Sequence, residues 1–409
     1  MLETYDLAVV GAGAAGLVAA ISGARRGAST VVLERLPRAG KKLLATGGGR
    51  CNLLNDRLSA SDFTSTDPGL VASVLDRFGR AGIRGFFEGL GLRLQSDDGG
   101  RVYPATNQAA SVLKVLELEA GRRGVFVETG FEAARIDTTP AGFSLAAAGG
   151  RKVGARAVVL AGGGRSYPAL GSNGSCYGLA AAFGHRIVAP VPSAVPLVVK
   201  DRWCHLLQGQ KLRARVSSRV GGRPGGTAEG ELLFTAYGLS GTAVLDVSEG
   251  VSVGLNREGM RDAVVVVDLV PFMSGDDLAV ELAGRLAGGW PAKDVAAGIL
   301  PEKFGLVVPD LVREAVVSSG GPADGERAAR ALAAALKARE FAVTGTRGWN
   351  EAEFTSGGVD AREVRTRTLE SKLRKGLYLA GEVLDVQGGR GGYNLAWAWA
   401  SGFVAGLAE

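Results

Sequence analysis

The sequence is poor in the residues that carry thiol, metal and histidine-centred chemistry. Its 409 residues include three cysteines, Cys51, Cys176 and Cys204, which lie far apart and form no Cys-x-x-Cys motif. Neither a dithiol redox centre nor a metal site is therefore indicated. The two histidines, His185 and His205, are too isolated for a relay, and we expect both to be structural. Serine-hydrolase and zinc-hydrolase classes are excluded on this composition, and a reducing compartment is favoured.

Long apolar runs and targeting signals are also missing from the sequence. The longest candidates for a membrane span, Val9–Ile21 and Val264–Val270, are interrupted by glycine or too short. Glu3 and Asp6 stand where a signal peptide would carry basic residues. We therefore expect a cytoplasmic protein that does not enter a membrane.

The net charge of +6 comes from scattered arginines and not from a basic block. Most of this charge is expected on a solvated surface, and the alternative is attraction of an anionic cofactor or substrate. Basic residues do not alternate with aromatic ones, and no nucleic-acid recognition motif appears. We expect a small-molecule substrate, no nucleic-acid partner, and a monomer or homodimer.

Glycine, by contrast, is abundant, and its 63 residues cluster in short runs after strand-like segments. The first run, the Gly-x-Gly-x-x-Gly motif at Gly11–Gly16, follows the apolar segment Tyr5–Val10 and opens an Ala-rich helical stretch. A second apolar segment, Ser29–Leu33, ends at Glu34. This strand–turn–helix–strand order predicts a dinucleotide-binding unit, with the pyrophosphate at the helix N-terminus. A carboxylate at Glu34 suits the ribose of FAD or NAD and disfavours NADP, although the adjacent Arg35 softens that exclusion.

A second glycine cluster, Thr46–Asn52, reads Thr-Gly-Gly-Gly-Arg-Cys-Asn. Its glycines can lie flat against a ring or a diphosphate, Arg50 can pair with phosphate oxygens, and Asn52 offers a donor and an acceptor to a flavin edge. The alternative is a flexible surface loop. Cys51 is expected to be a packed thiol near the flavin and, less favoured, a nucleophile, because no partner cysteine or histidine is close in sequence.

Two further clusters favour FAD over NAD. The third, Val158–Pro168, is a strand that runs into a glycine loop, and the fourth ends a strand at Gly381–Glu382. Gly388–Asn394 follows and leads into the apolar helix Leu395–Leu407. An acid after such a strand can accept hydrogen bonds from ribityl hydroxyls, and the helix N-terminus can stabilise negative charge on a reduced flavin. An NAD domain needs no such element, and no second Gly-x-Gly-x-x-Gly motif indicates a separate NAD(P)H domain.

Changes in residue pattern predict that the dinucleotide domain is split in sequence. Prolines punctuate the chain near Pro190, β-rich segments follow, and an Ala- and Leu-rich helical stretch runs from Gly275 to Arg339. Glycine loops return at Thr355. We expect a dinucleotide domain at 1–190 and 345–409, a β-rich insert at 191–272 and 335–344, and a helical insert at 273–334.

These motifs resemble those of the BaiN/RdsA-like, or aminoacetone-oxidase-like, FAD-dependent oxidoreductases. The matching blocks run in family order along nearly the whole chain: Val10–Leu17, Thr46–Asn52, Gly100–Pro104, Ser166–Pro168, Gly171–Ser172, Val195–Leu197, Phe234–Thr235, Gly238–Gly241, Thr355–Val359, Glu370–Leu373, Gly381–Asp385 and Gly391–Asn394. The resemblance implies an α/β fold, with a split Rossmann-like FAD domain of the glutathione-reductase type, an inserted β-barrel domain and a small helical domain.

The chain departs from the family pattern at four positions, where Leu54, Ala236, Thr242 and Gln387 stand for the usual Thr, His, Pro and acid. These departures put the substrate in doubt more than FAD binding. The resemblance and the motifs together predict these cofactor-binding residues: Gly11, Gly13, Ala14, Ala15, Gly16, Glu34, Arg35, Lys42, Thr46, Gly47, Gly48, Gly49, Arg50, Cys51, Asn52, Ala133, Ala161, Gly162, Gly163, Gly381, Glu382, Asp385, Gly392, Tyr393, Asn394 and Leu395.

The predicted function is hydride transfer through flavin N5, with NAD(P)H as a diffusible donor and a small, enone-like organic acceptor. The cofactor carries such chemistry while the protein supplies position and electrostatics. Tyr103, Tyr167 and Asp385 are candidate proton donors, and the catalytic residues are otherwise unassigned. The alternatives are an oxygen-using oxidase of amines or amino-ketones and a flavin-binding protein without turnover.

Overall fold

The computed structural model describes residues 3–318 and 325–407. The strands, numbered in chain order, are β1 (Thr4–Val10), β2 (Thr30–Glu34), β3 (Leu54–Asn55), β4 (Phe63–Ser65), β5 (Leu94–Ser96), β6 (Arg101–Pro104), β7 (Phe126–Thr129), β8 (Ala133–Thr139), β9 (Gly142–Ala147), β10 (Lys152–Leu160), β11 (Ile187–Ser193), β12 (Leu197–Val199), β13 (Lys211–Val220), β14 (Arg223–Thr235), β15 (Gly238–Ser240), β16 (Ala263–Asp268), β17 (Arg339–Thr346), β18 (Phe354–Val359), β19 (Leu377–Leu379) and β20 (Val386–Gly388).

The α-helices are α1 (Ala14–Arg25), α2 (Lys41–Ala45), α3 (Pro68–Arg77), α4 (Arg80–Gly89), α5 (Ala109–Arg122), α6 (Ser175–Ala181), α7 (Arg202–Leu206), α8 (Thr242–Ser252), α9 (Gly275–Ala287), α10 (Val308–Ser318), α11 (Gly325–Lys337) and α12 (Tyr393–Gly406). Short 3₁₀ turns lie at Thr46–Gly49, Ala60–Asp62, Pro168–Leu170, Glu302–Leu306, Ala361–Glu363 and Gly381–Val383, and a π turn, Val253–Arg257, follows α8. Within the described residues, no helix is long and apolar enough to cross a membrane.

The chain forms two compact units. One comprises Met1–Pro190 and Phe354–Glu409, and the other comprises Val191–Glu353. The helical segment expected as a separate insert, 273–334, therefore groups with the barrel strands, as do residues 345–353.

The first unit is built on a mostly parallel sheet whose strands follow the order β7-β2-β1-β10. Strand β19 extends it beside the end of β10, and antiparallel β9 and β8 continue from the beginning of β10. The central strands are runs of valine, leucine and alanine buried on both faces, as parallel strands usually are. The carboxyl ends of β1, β2 and β10 therefore share one edge, which is where such sheets bind ligands.

Helix α12 packs tightly against α1 in this unit because two of its residues are glycines. A Cβ atom on Gly402 would lie 2.3 Å from the Ala15 carbonyl oxygen, and one on Gly406 would lie 2.2 Å from that of Ala19. Most residues of both helices are apolar and buried, and the large Trp397 side chain of α12 is fully buried. This packing brings the beginning of the chain and its last helix together beneath one site.

The second unit contains a closed barrel with the strand order β12-β15-β14-β13-β16-β17, whose neighbouring strands pair antiparallel. Valines alternate inward along β16, and the barrel core includes Phe234 and Phe341 at an edge-to-face distance of 6.1 Å. Helices α9, α10 and α11 contribute to the same buried cluster. The expected Rossmann-like fold with an inserted barrel is confirmed.

Candidate cofactor-binding site

The glycine turn Gly11–Gly16 connects β1 to the first residues of α1, and it is tightly packed at Gly11 and Gly16 but open at Gly13. A Cβ atom on Gly11, whose φ is +103°, would lie 2.7 Å from the Ala161 carbonyl oxygen, and one on Gly16 would lie 1.8 Å from that of Gly11. On Gly13, by contrast, a Cβ atom would meet no heavy atom within 4 Å. Helix α1 begins directly after Gly13, at Ala14 and the buried Ala15, without a side-chain cap. The turn thus presents open space and an uncapped helix N-terminus, the combination that binds a phosphate.

Glu34 ends β2 and braces this turn. Its Oε2 accepts a hydrogen bond from the Ala12 amide at 2.8 Å, and its Oε1 accepts one from the Leu36 amide at 2.8 Å. A carboxylate has about four acceptor sites, so each oxygen keeps capacity for a ribose hydroxyl. Arg35 Nη1 lies 3.9 Å from Glu132 Oε1 and is buried without a hydrogen bond to any described residue. The Phe131 amide donates to the Glu34 carbonyl at 2.9 Å, and this bond keeps the start of β8, with the buried Ala133, close to Glu34.

Lys42 and Glu382, 340 residues apart, form an ion pair at 2.8 Å. The Lys42 ammonium also donates to Ser166 Oγ at 2.7 Å. The Glu382 carboxylate further accepts from the amides of Thr355 at 2.7 Å and Gly164 at 3.4 Å, and from Ser166 Oγ at 3.2 Å. Four donors therefore occupy the acceptor sites of this carboxylate. Sequence reasoning found Lys42 and Glu382 but missed the roles of Ser166 and Thr355, although both lie in motif blocks that it had identified.

The loop after β10 lies directly behind the glycine turn. The Ala161 amide donates to the Val10 carbonyl at 2.9 Å, and a Cβ atom on Gly162 would lie 2.4 Å from Cys176 Sγ. Gly163 follows with a φ of +76°. Burial raises the pKa of Cys176 to about 12, so this thiol is a neutral packing group. The hydroxyl of the next residue, Tyr177, is buried and makes no hydrogen bond with a described residue, a feature that no sequence pattern indicated.

The Thr46–Asn52 loop opens with a 3₁₀ turn, Thr46–Gly49, which contains Gly47. Cβ atoms on Gly48 and Gly49 would meet no heavy atom within 4 Å, so the backbone there is accessible to a flat ligand. The Arg50 guanidinium lies 5.1 Å from the centre of the Tyr103 ring, and its Nε donates to the Gly47 carbonyl at 3.2 Å. Among the described residues Arg50 makes no ion pair, which leaves its charge available to an anion.

The two residues that end this loop are held in different ways. Cys51 is fully buried in the left-handed region, with a φ of 59°. Burial raises the pKa of its thiol to about 12, which favours a packed thiol over a nucleophile. Asn52 Oδ1 is buried without a donor among the described residues and would lie 2.8 Å from a Cβ atom on Gly392. A buried acceptor without a donor is costly, so this oxygen fits a ligand N–H group.

The C-terminal block, Gly381–Asn394, is held in place largely by hydrogen bonds to side chains of α12. The Gly381 amide donates to Ser401 Oγ at 2.9 Å, and Trp397 Nε1 donates to the Gly381 carbonyl at 3.1 Å. The Asn394 amide accepts from the Gly388 N–H at 3.0 Å and donates to the Gly388 carbonyl at 2.8 Å. The Asn394 side chain thus holds a backbone loop.

Helix α12 begins after Gly392 without a side-chain cap. Its first-turn N–H groups, from Tyr393 to the half-buried Leu395, have no intrahelical acceptor. Burial raises the pKa of Tyr393, an effect that the nearby Arg57 opposes. This helix start offers a second site for negative charge.

The three candidate proton donors lie on separate segments. Tyr103 is buried in β6 beneath Arg50. Tyr167 adopts a left-handed φ of 53° just before the 3₁₀ turn Pro168–Leu170. Asp385 is buried, and its amide donates to the Val359 carbonyl at 2.9 Å.

The four departures from the family pattern divide between the two units. In the first unit, Leu54 is fully buried in β3, and Gln387 Nε2 donates to Ser356 Oγ at 3.1 Å. In the second, Ala236 lies between β14 and β15, and Thr242 begins α8.

The two histidines lie in different units of the structure. His185 Nδ1 lies 3.0 Å from Glu363 Oε2 and Nε2 lies 2.7 Å from Ser371 Oγ, and burial lowers the pKa of the imidazole. His205 lies in α7 of the other unit. Across residues 3–318 and 325–407, no three His, Cys, Asp or Glu side chains are grouped as ligands for a metal ion.

Comparison with known proteins places this geometry in context. Residues 5–408 match the family model described as HI0933-like protein Rossmann domain. The chain is 38% identical to the 3-dehydro-bile acid delta(4,6)-reductase of Clostridium scindens over 98% of each protein. It is 30% identical to the ribosomal RNA dihydrouridine synthase of Escherichia coli over 98% of this chain and 97% of the relative.

Among solved structures, the chain is similar to 3-ketosteroid delta1-dehydrogenase from Sterolibacterium denitrificans. The TM-score is 0.51 at 15% identity, over 99% of both chains. At that identity, the likeness shows the fold alone.

Proposed function

The chain belongs to the HI0933-like family of FAD-dependent oxidoreductases, and from this premise we propose that it uses NAD(P)H to reduce an enone-like organic acceptor. The resemblance found in the motifs is thereby confirmed, as is the assignment as a flavin oxidoreductase. The observation that carries the proposal is the 38% identity, over 98% of each chain, to a reductase named for a 3-dehydro-bile acid with delta(4,6) unsaturation. A ketone conjugated to such double bonds is an enone.

The residues of the candidate site fit FAD. The open space at Gly13 and the uncapped start of α1 suit the pyrophosphate, and Glu34 keeps acceptor capacity for a ribose. The accessible backbone at Gly48 and Gly49 suits a flat ring, and Asn52 Oδ1 is a buried acceptor to which no described residue donates. We therefore propose the predicted set, from Gly11 to Leu395, as the residues that hold the cofactor.

Within this set, Glu382 and Asn394 support the proposed site indirectly. Their polar atoms are bonded to Lys42, Ser166, Thr355 and the backbone at Gly388, so we propose that they position loops around the cofactor. A direct ribityl contact by Glu382 would require one of its four donors to move.

When bound, FAD supplies hydride transfer through N5, and the protein controls charge and protons around it. The uncapped start of α12 would supply partial positive charge to stabilise the negative charge of a reduced flavin. Reduction of an enone consumes a hydride and a proton, so one side chain or water must donate that proton. Tyr103, Tyr167 and Asp385 are the proposed donors, and single replacements of the tyrosines by Phe and of Asp385 by Asn would identify which one limits turnover.

Anaerobic spectroscopy of the FAD-loaded protein tests the proposal. We expect NADH or NADPH to bleach the yellow absorbance and a 3-oxo-4-ene steroid to restore it. A flavin that dithionite reduces but neither nicotinamide bleaches would rule out the proposed donor. Substrate-dependent peroxide from an amine without nicotinamide would instead support the oxidase alternative.

A second acceptor is favoured by one specific observation, the 30% identity to a ribosomal RNA dihydrouridine synthase over 98% of this chain. The uracil ring also contains a carbon–carbon double bond conjugated to a carbonyl group. The same reoxidation experiment with a uridine-containing RNA oligonucleotide separates the two acceptors. Our expectation that no nucleic acid binds stays a prediction until that measurement is made.

A further inference from the structure

Two exposed arginines, Arg57 and Arg101, lie beside the C-terminal block without an acidic partner among the described residues. The acids close to them in sequence have other partners. Asp56 pairs with Arg84 at 3.0 Å and accepts from Ser96 at 2.5 Å. Asp97 Oδ1 accepts from the backbone amide of Arg101 at 2.8 Å, and not from its guanidinium. The two guanidinium groups, called here the arginine pair, therefore keep their charge and their donors.

Each arginine of the pair lies close to a glycine beside the candidate cofactor site. A Cβ atom on Gly391 would lie 3.9 Å from Arg101 Nε and 3.6 Å from Tyr393 Cε2. A Cβ atom on Gly100 would lie 3.7 Å from Arg57 Nε, so Arg57 packs over the residue that precedes Arg101. The charge of Arg57 also reaches the Tyr393 hydroxyl, where it opposes the effect of burial on the pKa.

Strand pairing fixes this arrangement. Antiparallel β3 and β6 place Asn55 opposite Arg101, and Asn55 Nδ2 donates to the Gly391 carbonyl at 2.9 Å. Arg101 and Tyr103 are two residues apart on β6 and so share one face of the strand. Because Arg50 lies over the Tyr103 ring, its charge adds to that of the arginine pair.

Other charged groups close to the pair do not neutralise it. Asp62 accepts from the Ser59 amide at 2.8 Å in a capping box and also raises the pKa of Tyr393. Asp98 is exposed in the turn before Gly100 and forms no ion pair with either arginine in the described part of the chain. Arg50, Arg57 and Arg101 therefore form no ion pair among the described residues. The planar fork of an arginine matches a carboxylate or a phosphate.

We propose that Arg57 and Arg101 form an anion-binding site for a carboxylate carried by the enone acceptor. The inference rests on the proposed function, and it adds the substrate class, an acidic enone. The 38% identical relative is named for an acid, which is consistent with that class. Two or three arginines match one carboxylate, whereas a nucleic acid requires an extended basic stripe.

The test measures binding and not turnover. FAD-loaded wild type is titrated with a saturated 3-oxo steroid carboxylic acid and with its methyl ester, followed by flavin absorbance and calorimetry. We expect the acid to bind at least about tenfold tighter than the ester. The double variant Arg57→Gln with Arg101→Gln should lose this preference, with ester binding unchanged.

A charge-matched control is the double variant Arg93→Gln with Lys114→Gln, which removes two exposed cations that form no ion pair in the described structure. It should keep the preference for the acid. Equal binding of acid and ester by wild type, or no binding of either, overturns the inference, as does loss of FAD from the Arg57 and Arg101 variant. Wild type that prefers the acid but shows no NAD(P)H-driven reduction overturns the proposed function and leaves the anion site standing. Salt-sensitive binding of an RNA oligonucleotide that depends on the arginine pair, with acid binding unaffected, overturns the carboxylate assignment.

Discussion

Two parts of the proposed cofactor site are built differently. The turn Gly11–Gly16 exposes backbone atoms to the proposed cofactor, whereas the Glu382 carboxylate accepts hydrogen bonds from three segments that are distant in sequence. The turn depends on the absence of side chains, because Gly13 leaves open space and Gly16 allows helix α1 to approach the Gly11 carbonyl oxygen closely. The carboxylate depends on atoms that are present, because Lys42, Ser166 and Thr355 all bond to it. The first arrangement is local in sequence, and the second exists only after the sheet and α12 have assembled.

This difference distinguishes residues needed for folding from residues needed only to bind the proposed cofactor. We expect Gly16 to be needed for folding, because a Cβ atom there would meet the Gly11 carbonyl oxygen, and Gly13 to be needed for a ligand alone, because a Cβ atom there would meet no heavy atom within 4 Å. Residues of the Glu382 network combine the two roles, since they fasten loops that line the proposed site. Substitutions that separate folding from FAD binding therefore test the comparison directly.

The largest effect is expected for Gly16→Ala. The added Cβ atom would lie 1.8 Å from the Gly11 carbonyl oxygen, and neither backbone segment can move without disturbing β1 or α1. We expect the free energy of unfolding of the FAD-free protein to fall by about 3 kcal/mol, measured by urea unfolding with circular dichroism. Gly121→Ala in α5, where a Cβ atom meets nothing within 4 Å, is the matched control. A Gly16→Ala protein as stable as that control would show that the turn is not tightly packed.

Gly13→Ala is expected to spare folding and weaken the cofactor. Gly13 has a φ of −81°, which alanine adopts freely, and its Cβ atom would enter open space. FAD affinity should fall about 100-fold, roughly 2.8 kcal/mol, because the methyl group occupies the proposed phosphate position. Fluorescence titration of the FAD-free protein measures this change, and urea unfolding should show no loss of stability. Retention of full FAD affinity would place the pyrophosphate elsewhere.

The same comparison explains how far the sequence could predict the site. Local sequence patterns predict the glycine turn and the Rossmann-like fold, because one strand–turn–helix–strand unit occupies only about thirty consecutive residues. The split of the FAD unit is predicted from changes in residue pattern along the chain. The side-chain partners of Glu382 are not local, since Lys42 lies 340 residues away. Asn394 shows the same limit: its motif indicated a site residue, but only the fold reveals that its amide bonds to Gly388.

An intermediate effect is expected from uncoupling Lys42 and Glu382. A double-mutant cycle of Lys42→Gln and Glu382→Gln should give a coupling energy of about 1–3 kcal/mol in urea unfolding of the FAD-free protein. The pair is mostly shielded, with side chains 24% and 20% exposed, so water screens it incompletely.

The pair of Arg135 and Asp137, with side chains 66% and 46% exposed, provides the control cycle. It should give about 0–1 kcal/mol, as surface ion pairs do. Equal coupling energies in the two cycles would mean that the Glu382 network is no more than a surface contact.

The smallest effect is expected at the thiols near the site. Burial raises the pKa values of Cys51 and Cys176 to about 12, so at pH 8 only about one thiol in ten thousand is ionised. Because the thiolate is the reactive form, iodoacetamide should modify neither cysteine in the folded protein between pH 7 and 9, and reactivity should rise only as the pH approaches 12. Mass spectrometry measures the modification, with urea-unfolded protein as the positive control. Rapid modification of Cys51 in the folded, FAD-loaded protein, together with loss of turnover in Cys51→Ala, would contradict the packed-thiol interpretation. The Thr46–Asn52 loop would then contribute a reactive group, and its role would differ in kind from that of the Gly11–Gly16 turn.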